Sequence, residues 1–175
     1  VYGNLYDFQE SIQNFCEAIN LDSKDYMAYL DRGIAYLAVG NYGSQNVIYK
    51  NVDGTLTTDT VWNDNRTDNT TAIAFGDIDN DGYLELAVGN YGQNNLVYDN
   101  VNGVLATTPM WNDGRTDYTR SVTFADEDND GYLEFASGNV YTSFIYENTA
   151  GSLTNEIAWS DFGSHITNSI SWGDV

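Results

Sequence analysis

The chain has 175 residues, the length of one ordinary domain or of two small ones, and 26 acidic against 6 basic residues give it a formal net charge of −20. This acidic excess argues against nucleic acids and anionic membranes as partners, because both bind basic surfaces. A disordered acidic chain is also disfavoured, since 14 Tyr, 7 Phe and 4 Trp side chains indicate a folded core. A single Cys16 and a single His165 allow neither an intrachain disulfide nor a zinc site. No apolar run approaches the ~20 residues that span a membrane.

Residues 1–39 have the apolar spacing of two α-helices. Apolar residues recur every three or four positions from Phe8 to Leu21, and a polar break separates them from a second run that reaches about Val39. The spacing predicts a short helical hairpin, and any amphipathic hairpin would satisfy it. The pattern also resembles a tetratricopeptide repeat, whose period of 34 residues separates Phe8 from Tyr42. The matching positions are Phe8, Ser11, Phe15, Ala18 and Asp22 in the first helix, and Tyr29, Gly33, Tyr36, Gly40 and Tyr42 from the second helix onward.

After this helical part the sequence repeats every 49 residues. The motif at 38–43 returns at 87–92 and, more weakly, at 136–140. The tryptophans that keep the same register are Trp62, Trp111 and Trp159, and the third copy is one residue shorter. A period near 50 with short alternating apolar runs is typical of propeller blades.

Each repeat divides into four predicted strands. In the best copy these strands are residues 72–76, 84–90, 96–100 and 104–111. The predicted fold class is therefore mainly β, with four-stranded antiparallel propeller blades (two full, one headless and one orphan strand) after a short N-terminal α-helical hairpin. The orphan strand is expected at about 169–173. The predicted domains are 1–39, the helical hairpin, and 40–175, the partial propeller.

Two nearly identical acidic loops follow the first strand of the second and third copies. Residues 77–85 read Asp-Ile-Asp-Asn-Asp-Gly-Tyr-Leu-Glu, and residues 126–134 differ only by Glu at the second position. Acids this close repel one another unless a cation neutralises them, and Ca²⁺ accepts six to eight oxygen ligands in a flexible shell. An EF-hand would place its closing Glu at position 12, before a helix, whereas this Glu is at position 9, before a strand. The sequence predicts two Ca²⁺ sites, and solvated acidic turns are the alternative.

The acidic loop and the strand after it resemble the FG-GAP or VCBS type of β-propeller blade, found in integrin heads and many bacterial surface proteins. The resemblance is carried by residues 75–82 and 86–90. In that family the loop binds Ca²⁺, which implies a first ligand set of Asp77, Asp79, Asp81, the carbonyl of Tyr83, and Glu85. The implied second set is Asp126, Asp128, Asp130, the carbonyl of Tyr132, and Glu134. The family more often has Asp at position 9 and has glycine where this chain has Ala125, and neither departure removes an oxygen ligand.

A Trp-containing turn at the end of each blade is a second candidate site. The turn Trp-Asn-Asp-x-Arg-Thr-Asp occurs at 62–68 and at 111–117. An aromatic ring beside Arg and Asp can bind a sugar, as in the propeller lectins that this arrangement resembles. Alternatively, Trp packs between blades while Arg and Asp pair within the turn. The candidate sugar-binding residues are Trp62, Arg66, Trp111, Arg115 and Asp117.

The chain has no motif that indicates an enzyme: no nucleophile elbow, no phosphate-binding glycine loop and no Cys/His pair. We therefore expect a non-enzymatic, Ca²⁺-stabilised structural or adhesion module, extracellular or at the cell surface, where Ca²⁺ is millimolar. The expected partners are other copies of the chain or further blades of the same protein, in a ring or a filament, because unpaired strand edges invite pairing. Glycans are the expected partners if the Trp turns form a lectin site.

Overall fold

The computed structural model describes residues 36–52, 55–163 and 165–173. These residues form antiparallel strands and no helix, which confirms the mainly β fold. No helix that could span a membrane occurs among them. The strands are β1 (Leu37–Val39), β2 (Val47–Val52), β3 (Thr55–Asn63), β4 (Thr70–Gly76), β5 (Glu85–Asn90), β6 (Leu96–Tyr98), β7 (Asn100–Val101), β8 (Val104–Leu105), β9 (Trp111–Asn112), β10 (Thr119–Ala125), β11 (Glu134–Asn139), β12 (Phe144–Thr149) and β13 (Ser152–Ser160).

The chain divides into two compact units. The described residues of the first unit are 36–38, 48–52 and 55–61, and most of the three-stranded sheet β1-β2-β3 lies there. The second unit contains residues 39–47 and the chain from 62 onward, and it holds both four-stranded sheets.

The predicted helical hairpin lies outside the described residues except at its last four positions. There, Leu37–Val39 form strand β1, so the prediction of a helix that reaches Val39 was wrong. The reason is that residues 38–41 are the first copy of the motif Ala-Val-Gly-Asn, which forms the end of β5 in the next repeat. The periodicity of the blades therefore overrides the helical spacing at this point.

Two complete blades follow, as the 49-residue repeat predicts. Their strand orders are β4-β5-β6-β9 and β10-β11-β12-β13, and the three-stranded sheet β1-β2-β3 corresponds to the headless blade. The register is the same in both: Phe75 pairs with Leu86, and Phe124 pairs with Phe135. Strands β5 and β11 are buried at every position, which is typical of strands covered on both faces.

The last predicted strand of the second copy, residues 104–111, is not continuous. Its first residues form β8, which pairs with β7, and its last residue begins β9, which pairs with β6. Pro109 lies in the gap, where the other two copies have Thr60 and Ile157 within unbroken strands. Proline has no N–H to donate to a ladder, so it interrupts the strand.

The core of the second unit lies between the two complete blades. The Trp111 ring packs against the rings of Phe135 and Tyr146, with ring centroids 5.3 Å away in both cases. The strands β4 and β10 approach so closely that a Cβ added to Gly76 would lie 2.6 Å from the Phe124 ring. The buried members of this core are Ile78, Ala87, Val97, Trp111, Val122, Phe135, Phe144, Tyr146 and Leu153.

Residues 169–173, predicted as an orphan strand, do not form a ladder in the structure. In both complete blades the first strand pairs with the strand that follows the acidic loop. Within the described residues, no strand follows residues 169–173 that could pair with them in this way. The segment is nevertheless held beside the third copy. The Thr167 amide donates to the Asn139 carbonyl at 3.1 Å, and the Ile170 amide donates to Ser121 Oγ at 3.2 Å.

Replacing Trp111 with alanine should destabilise the second unit strongly. The ring is 8% exposed, and its removal leaves a cavity beside Phe135 and Tyr146, so we expect the free energy of unfolding to fall by about 3–5 kcal/mol. Urea unfolding at a fixed Ca²⁺ concentration would measure the loss. As a control, Phe162→Ala removes an aromatic ring that is 91% exposed and should change stability by less than about 0.5 kcal/mol. Equal effects of the two substitutions would contradict this description of the core.

Candidate metal centres

The first acidic loop brings three carboxylates together between two strands. It begins after β4, and Glu85 is the first residue of β5. The backbone turns at Asn80 and Gly82, whose φ angles are 61° and 91°, a region that Asn and Gly tolerate. As a result, carboxylate oxygens of Asp77, Asp79 and Glu85 all lie within 4.8 Å of one another.

The second loop repeats this geometry between β10 and β11. The φ angles of Asn129 and Gly131 are 63° and 93°, within a few degrees of those in the first loop. Carboxylate oxygens of Asp126, Asp128 and Glu134 again lie within 4.8 Å of one another. The two sequence copies therefore form two equivalent carboxylate clusters.

In the first loop, backbone amides bind one oxygen of a carboxylate and leave the other available, whereas in the second loop both oxygens of Asp126 accept backbone hydrogen bonds. Glu85 Oε2 accepts a hydrogen bond from the Ile78 amide at 2.9 Å, and Asp77 Oδ2 accepts one from the Gly82 amide at 3.1 Å. The buried oxygens left without a partner in the described structure include Asp77 Oδ1, Glu85 Oε1 and Glu134 Oε1. A buried, unpartnered carboxylate oxygen is costly, and a hard cation would satisfy it. The donor set, all oxygen, therefore fits Ca²⁺.

The acids predicted as ligands at position 5, Asp81 and Asp130, are not members of the three-carboxylate clusters. Asp81 Oδ1 accepts a hydrogen bond from the Tyr83 amide at 2.8 Å. Asp130 Oδ1 accepts the equivalent bond from the Tyr132 amide at 2.9 Å. These bonds fix the turn that precedes the closing Glu. As metal ligands, these four residues stay predictions.

Burial and mutual repulsion make the clusters unfavourable as free carboxylates. Burial, with smaller contributions from the charges of Asp79 and Asp77, raises the pKa of Glu85 to about 7. Burial also raises the pKa of Asp79 and of Glu134 above their ordinary values. A bound cation would favour the ionised form of every carboxylate in the cluster.

The first loop also contacts the following blade. Ile78 is fully buried in the core between the two complete blades, and its carbonyl accepts a hydrogen bond from Asn148 Nδ2 at 2.8 Å. Asn80 Nδ2 donates to the Gly131 carbonyl of the second loop at 2.6 Å. The conformation of this loop is therefore tied to the packing of one blade on the next.

The sequence did not identify Ile78, Asn80 and Asn148 as members of this interface. The sequence signal for this interface was Ile78, because a large apolar residue with polar neighbours is expected to be buried. Glu127 holds the same place in the second loop, and it is exposed. The two loops therefore differ in their surroundings although their carboxylates are equivalent.

The Trp turns pack between blades, as the alternative interpretation predicted. Trp62 and Trp111 are 9% and 8% exposed. Each ring meets a tyrosine of the following repeat edge-on: Trp62 meets Tyr98 at 5.1 Å, and Trp111 meets Tyr146 at 5.3 Å. A sugar could stack on either ring only if this contact opened.

The Arg and Asp residues of these turns pair with each other. Arg66 Nε donates to the Asp68 carboxylate, and Arg115 Nε donates to the Asp117 carboxylate at 2.6 Å. The Arg115 guanidinium also lies 4.1 Å from the centre of the Phe144 ring, a cation–π contact with the following blade. The candidate sugar-binding residues thus have structural partners already.

A buried Asp–Asn pair closes each turn. The Asp113 carboxylate accepts hydrogen bonds from the Asn95 backbone amide at 3.0 Å and from Asn95 Nδ2 at 2.7 Å. Asp64 and Asn46 make the same pair one repeat earlier. Despite these bonds, burial raises the pKa of Asp113 to about 6.

Comparison with known families matches both loops. A family model described as an FG-GAP-like repeat matches residues 30–88 and 78–137, so the matches together cover more than half of the chain. Each match ends three residues after the closing Glu of an acidic loop. No curated protein matches the chain.

The Asp113 carboxyl should titrate near pH 6 in the folded chain, well above its ordinary 3.8. Because the folded pKa exceeds the unfolded one, the folded state binds this proton more tightly. The contribution of Asp113 to the free energy of unfolding therefore falls as the pH rises through the interval between the two pKa values. An NMR titration of the carboxyl carbon would measure the midpoint, with Asp113→Asn to assign the signal. A midpoint below pH 4 would contradict the expected dominance of burial.

Proposed function

The chain belongs to the FG-GAP-like repeat family, and from this premise we propose that it is a non-enzymatic, Ca²⁺-stabilised module for adhesion or structural assembly outside the cell. The observation that carries the proposal is the pair of equivalent three-carboxylate clusters, each with an unpartnered buried oxygen. FG-GAP-like repeats are typical of extracellular and surface proteins. The proposed location is therefore the extracellular space or the cell surface.

Calcium suits these clusters better than other common metals. The ligand atoms are carboxylate oxygens on a loop with several turns, and Ca²⁺ tolerates such irregular shells, whereas Mg²⁺ demands near-ideal octahedral geometry. Sites in extracellular modules bind Ca²⁺ with dissociation constants of about 0.1–1 mM, which matches the concentration outside cells. The proposed ligand sets are Asp77, Asp79, Asp81, the Tyr83 carbonyl and Glu85, and Asp126, Asp128, Asp130, the Tyr132 carbonyl and Glu134.

The proposed role of the metal is structural. Each loop joins the first two strands of a blade, and Ca²⁺ would hold those strand ends together by neutralising three converging charges. In the first loop the same ion would also fix Ile78, which packs into the core between the blades. A cation surrounded by this many protein oxygens has little room for a substrate, so we assign it no chemical step.

The proposed partners are other copies of the chain or further blades of the same protein. A blade whose face or edge is uncovered exposes apolar side chains and unpaired backbone groups, both of which favour association. Assembly into a ring or a filament would provide the adhesion or structural role.

Calcium should raise the melting temperature, and chelator should lower it. If each site has a dissociation constant near 0.1 mM, 10 mM CaCl₂ stabilises the folded state by about 2.7 kcal/mol per site, because the ion binds only the folded chain. Thermal melts in CaCl₂ and in EDTA would measure the shift, and MgCl₂ at the same concentration is the control for ionic strength. Identical melts in all three would sink the Ca²⁺ proposal.

Asp79→Ala and Asp128→Ala should each remove one bound ion. Each substitution takes one carboxylate from one cluster and leaves the other cluster intact. Isothermal titration calorimetry should give two ions per chain for the parent and one for each variant. Glu156→Gln is the matched control, because it removes an exposed acid that belongs to neither cluster, and it should leave two. Two ions in all variants would show that the loops are not the sites.

A further inference from the structure

An open, largely apolar pocket of about 340 Å³ lies beside the second complete blade. Ile145 and Trp159 line it from the blade, and Ile170 and Trp172 line it from the following segment. The Trp159 side chain is 51% exposed and the Trp172 side chain is 42% exposed. Exposed aromatic rings grouped in this way mark an interaction surface. These four residues define the Trp159 face.

The Trp159 face repeats a surface that is covered in the preceding blade. Trp111 holds the place of Trp159 one repeat earlier, and it is buried. It is covered by Phe135 and Tyr146 of the following blade, whose ring centroids each lie 5.3 Å from the Trp111 ring. The Trp159 face therefore fits a blade with an apolar residue in the place of Phe135 and a tyrosine in the place of Tyr146.

The first sheet of this same chain carries both residues. Leu37 in β1 holds the place of Phe135, and Tyr49 in β2 holds the place of Tyr146. Leu37 is 45% exposed and Tyr49 is half-buried, whereas Phe135 and Tyr146 are 0% and 1% exposed. Leu37 and Tyr49 define the Tyr49 face. The Trp159 face lacks the covering side chains that its counterpart has in the preceding blade. The Tyr49 face carries the equivalent covering side chains, and they are partly exposed.

The backbone edges are complementary in the same way. In the described residues the first sheet has three strands, and it lacks the strand that precedes the equivalent of β1 in both complete blades. Residues 169–173 correspond to that strand, because they align with residues 121–125 of β10. The edge of β1 and the segment 169–173 are therefore matching halves of one ladder.

We propose that residues 169–173 of one copy of the chain pair with β1 of a second copy and complete its first blade. The Trp159 face of the first copy then covers Leu37 and Tyr49 of the second. This inference names the partner surface of the proposed assembly and rests on that part of the proposed function. Because the two surfaces differ, the contact is head to tail, and successive copies form a ring or an open filament.

The register of the new ladder follows from the complete blades. Thr123 pairs with Ala136 between β10 and β11. The equivalent positions are Ser171 in the terminal segment and Ala38 in β1, so these two residues should lie opposite each other across the interface.

Among the described residues that line the pocket, Glu127 is the one acid. It holds the place of Ile78, which is fully buried in the preceding interface. Glu127→Ile should therefore strengthen association, because it restores the apolar residue of the covered blade face.

Light scattering of the 175-residue chain in millimolar CaCl₂ tests the proposal. The expected mass exceeds 19.5 kDa and grows with concentration. Trp159→Ala and Tyr49→Ala should each weaken association by ~30-fold or more, the effect of losing a hot-spot aromatic residue. Phe162→Ala, which removes a fully exposed ring outside both faces, should leave it unchanged.

Mixing the two weakened variants tests the head-to-tail arrangement. Trp159→Ala keeps the Tyr49 face and Tyr49→Ala keeps the Trp159 face, so an equimolar mixture should form a dimer that neither variant forms alone. A symmetric contact between two Trp159 faces would not be rescued in this way and would overturn the proposal.

A disulfide tests the register without disturbing the aromatic rings. In a Cys16→Ser background, chains with Ala38→Cys and chains with Ser171→Cys are mixed and mildly oxidised. Directly opposed residues in an antiparallel pair are close enough for a disulfide, so a covalent dimer is expected. Ser169→Cys replaces Ser171→Cys as the out-of-register control and should give little dimer. Equal yields from both mixtures would overturn the proposed register.

The outcomes separate this inference from the proposed function. A chain that stays monomeric at every concentration, or that associates equally well with Trp159→Ala, overturns the inference. Either result leaves the Ca²⁺-stabilised module standing, because the melting and calorimetry experiments do not depend on association. Association together with identical melts in CaCl₂ and in EDTA would support the inference and overturn the metal role.

Discussion

The burial of aromatic rings between neighbouring blades is the interaction on which the rest of this structure depends. A four-stranded sheet with apolar residues on both faces is stable only when neighbouring elements cover those faces. Trp111 of one blade therefore lies against Phe135 and Tyr146 of the next, and Trp62 lies against Tyr98 one repeat earlier. The Asp–Asn and Arg–Asp pairs of the turns hold each tryptophan at the end of its strand, where the next blade can reach it.

Metal binding at the acidic loops would be coupled to this packing, more directly in the first loop than in the second. In the first loop, Ile78 lies between two of the clustered acids, so any force that orders the carboxylates also orders a core residue. In the second loop the same place is taken by Glu127, which is exposed beside the Trp159 face. A metal ion in the first loop would therefore act on an interface that already exists. A metal ion in the second loop would act at the edge of a surface that becomes an interface only when another blade covers it.

The sequence predicted the structural features that recur from one repeat to the next. It did not predict features that depend on a single residue. The 49-residue period predicted the four-stranded blades. The acidic motif predicted that Asp77, Asp79 and Glu85 lie close together, as do their second-copy equivalents, but it also included Asp81 and Asp130, which are not in the clusters. The repeat did not predict the strand break at Pro109, because the apolar pattern continues across this position. The missing N–H of one proline is enough to interrupt the hydrogen-bond ladder there. For Trp111 the sequence favoured packing over sugar stacking but did not identify Phe135 and Tyr146 as the residues that cover the ring, because that depends on how the next blade packs. The tetratricopeptide-like resemblance of the first 39 residues lies almost wholly outside the described chain.

The acidic composition favours assembly by apolar contact over assembly by ion pairs. In the part of the chain that the structure describes, the ion pairs Arg66–Asp68 and Arg115–Asp117 each lie within one turn and join no two copies. Two Ca²⁺ ions would reduce the formal charge only from −20 to −16, so adjacent copies still repel one another. That repulsion between exposed charges is screened beyond about 8 Å at physiological ionic strength, whereas ring-to-ring contact acts at shorter range and does not depend on salt. A head-to-tail contact centred on Trp159 and Tyr49 would therefore depend on apolar burial, and Glu127 is the acid at the pocket that opposes it.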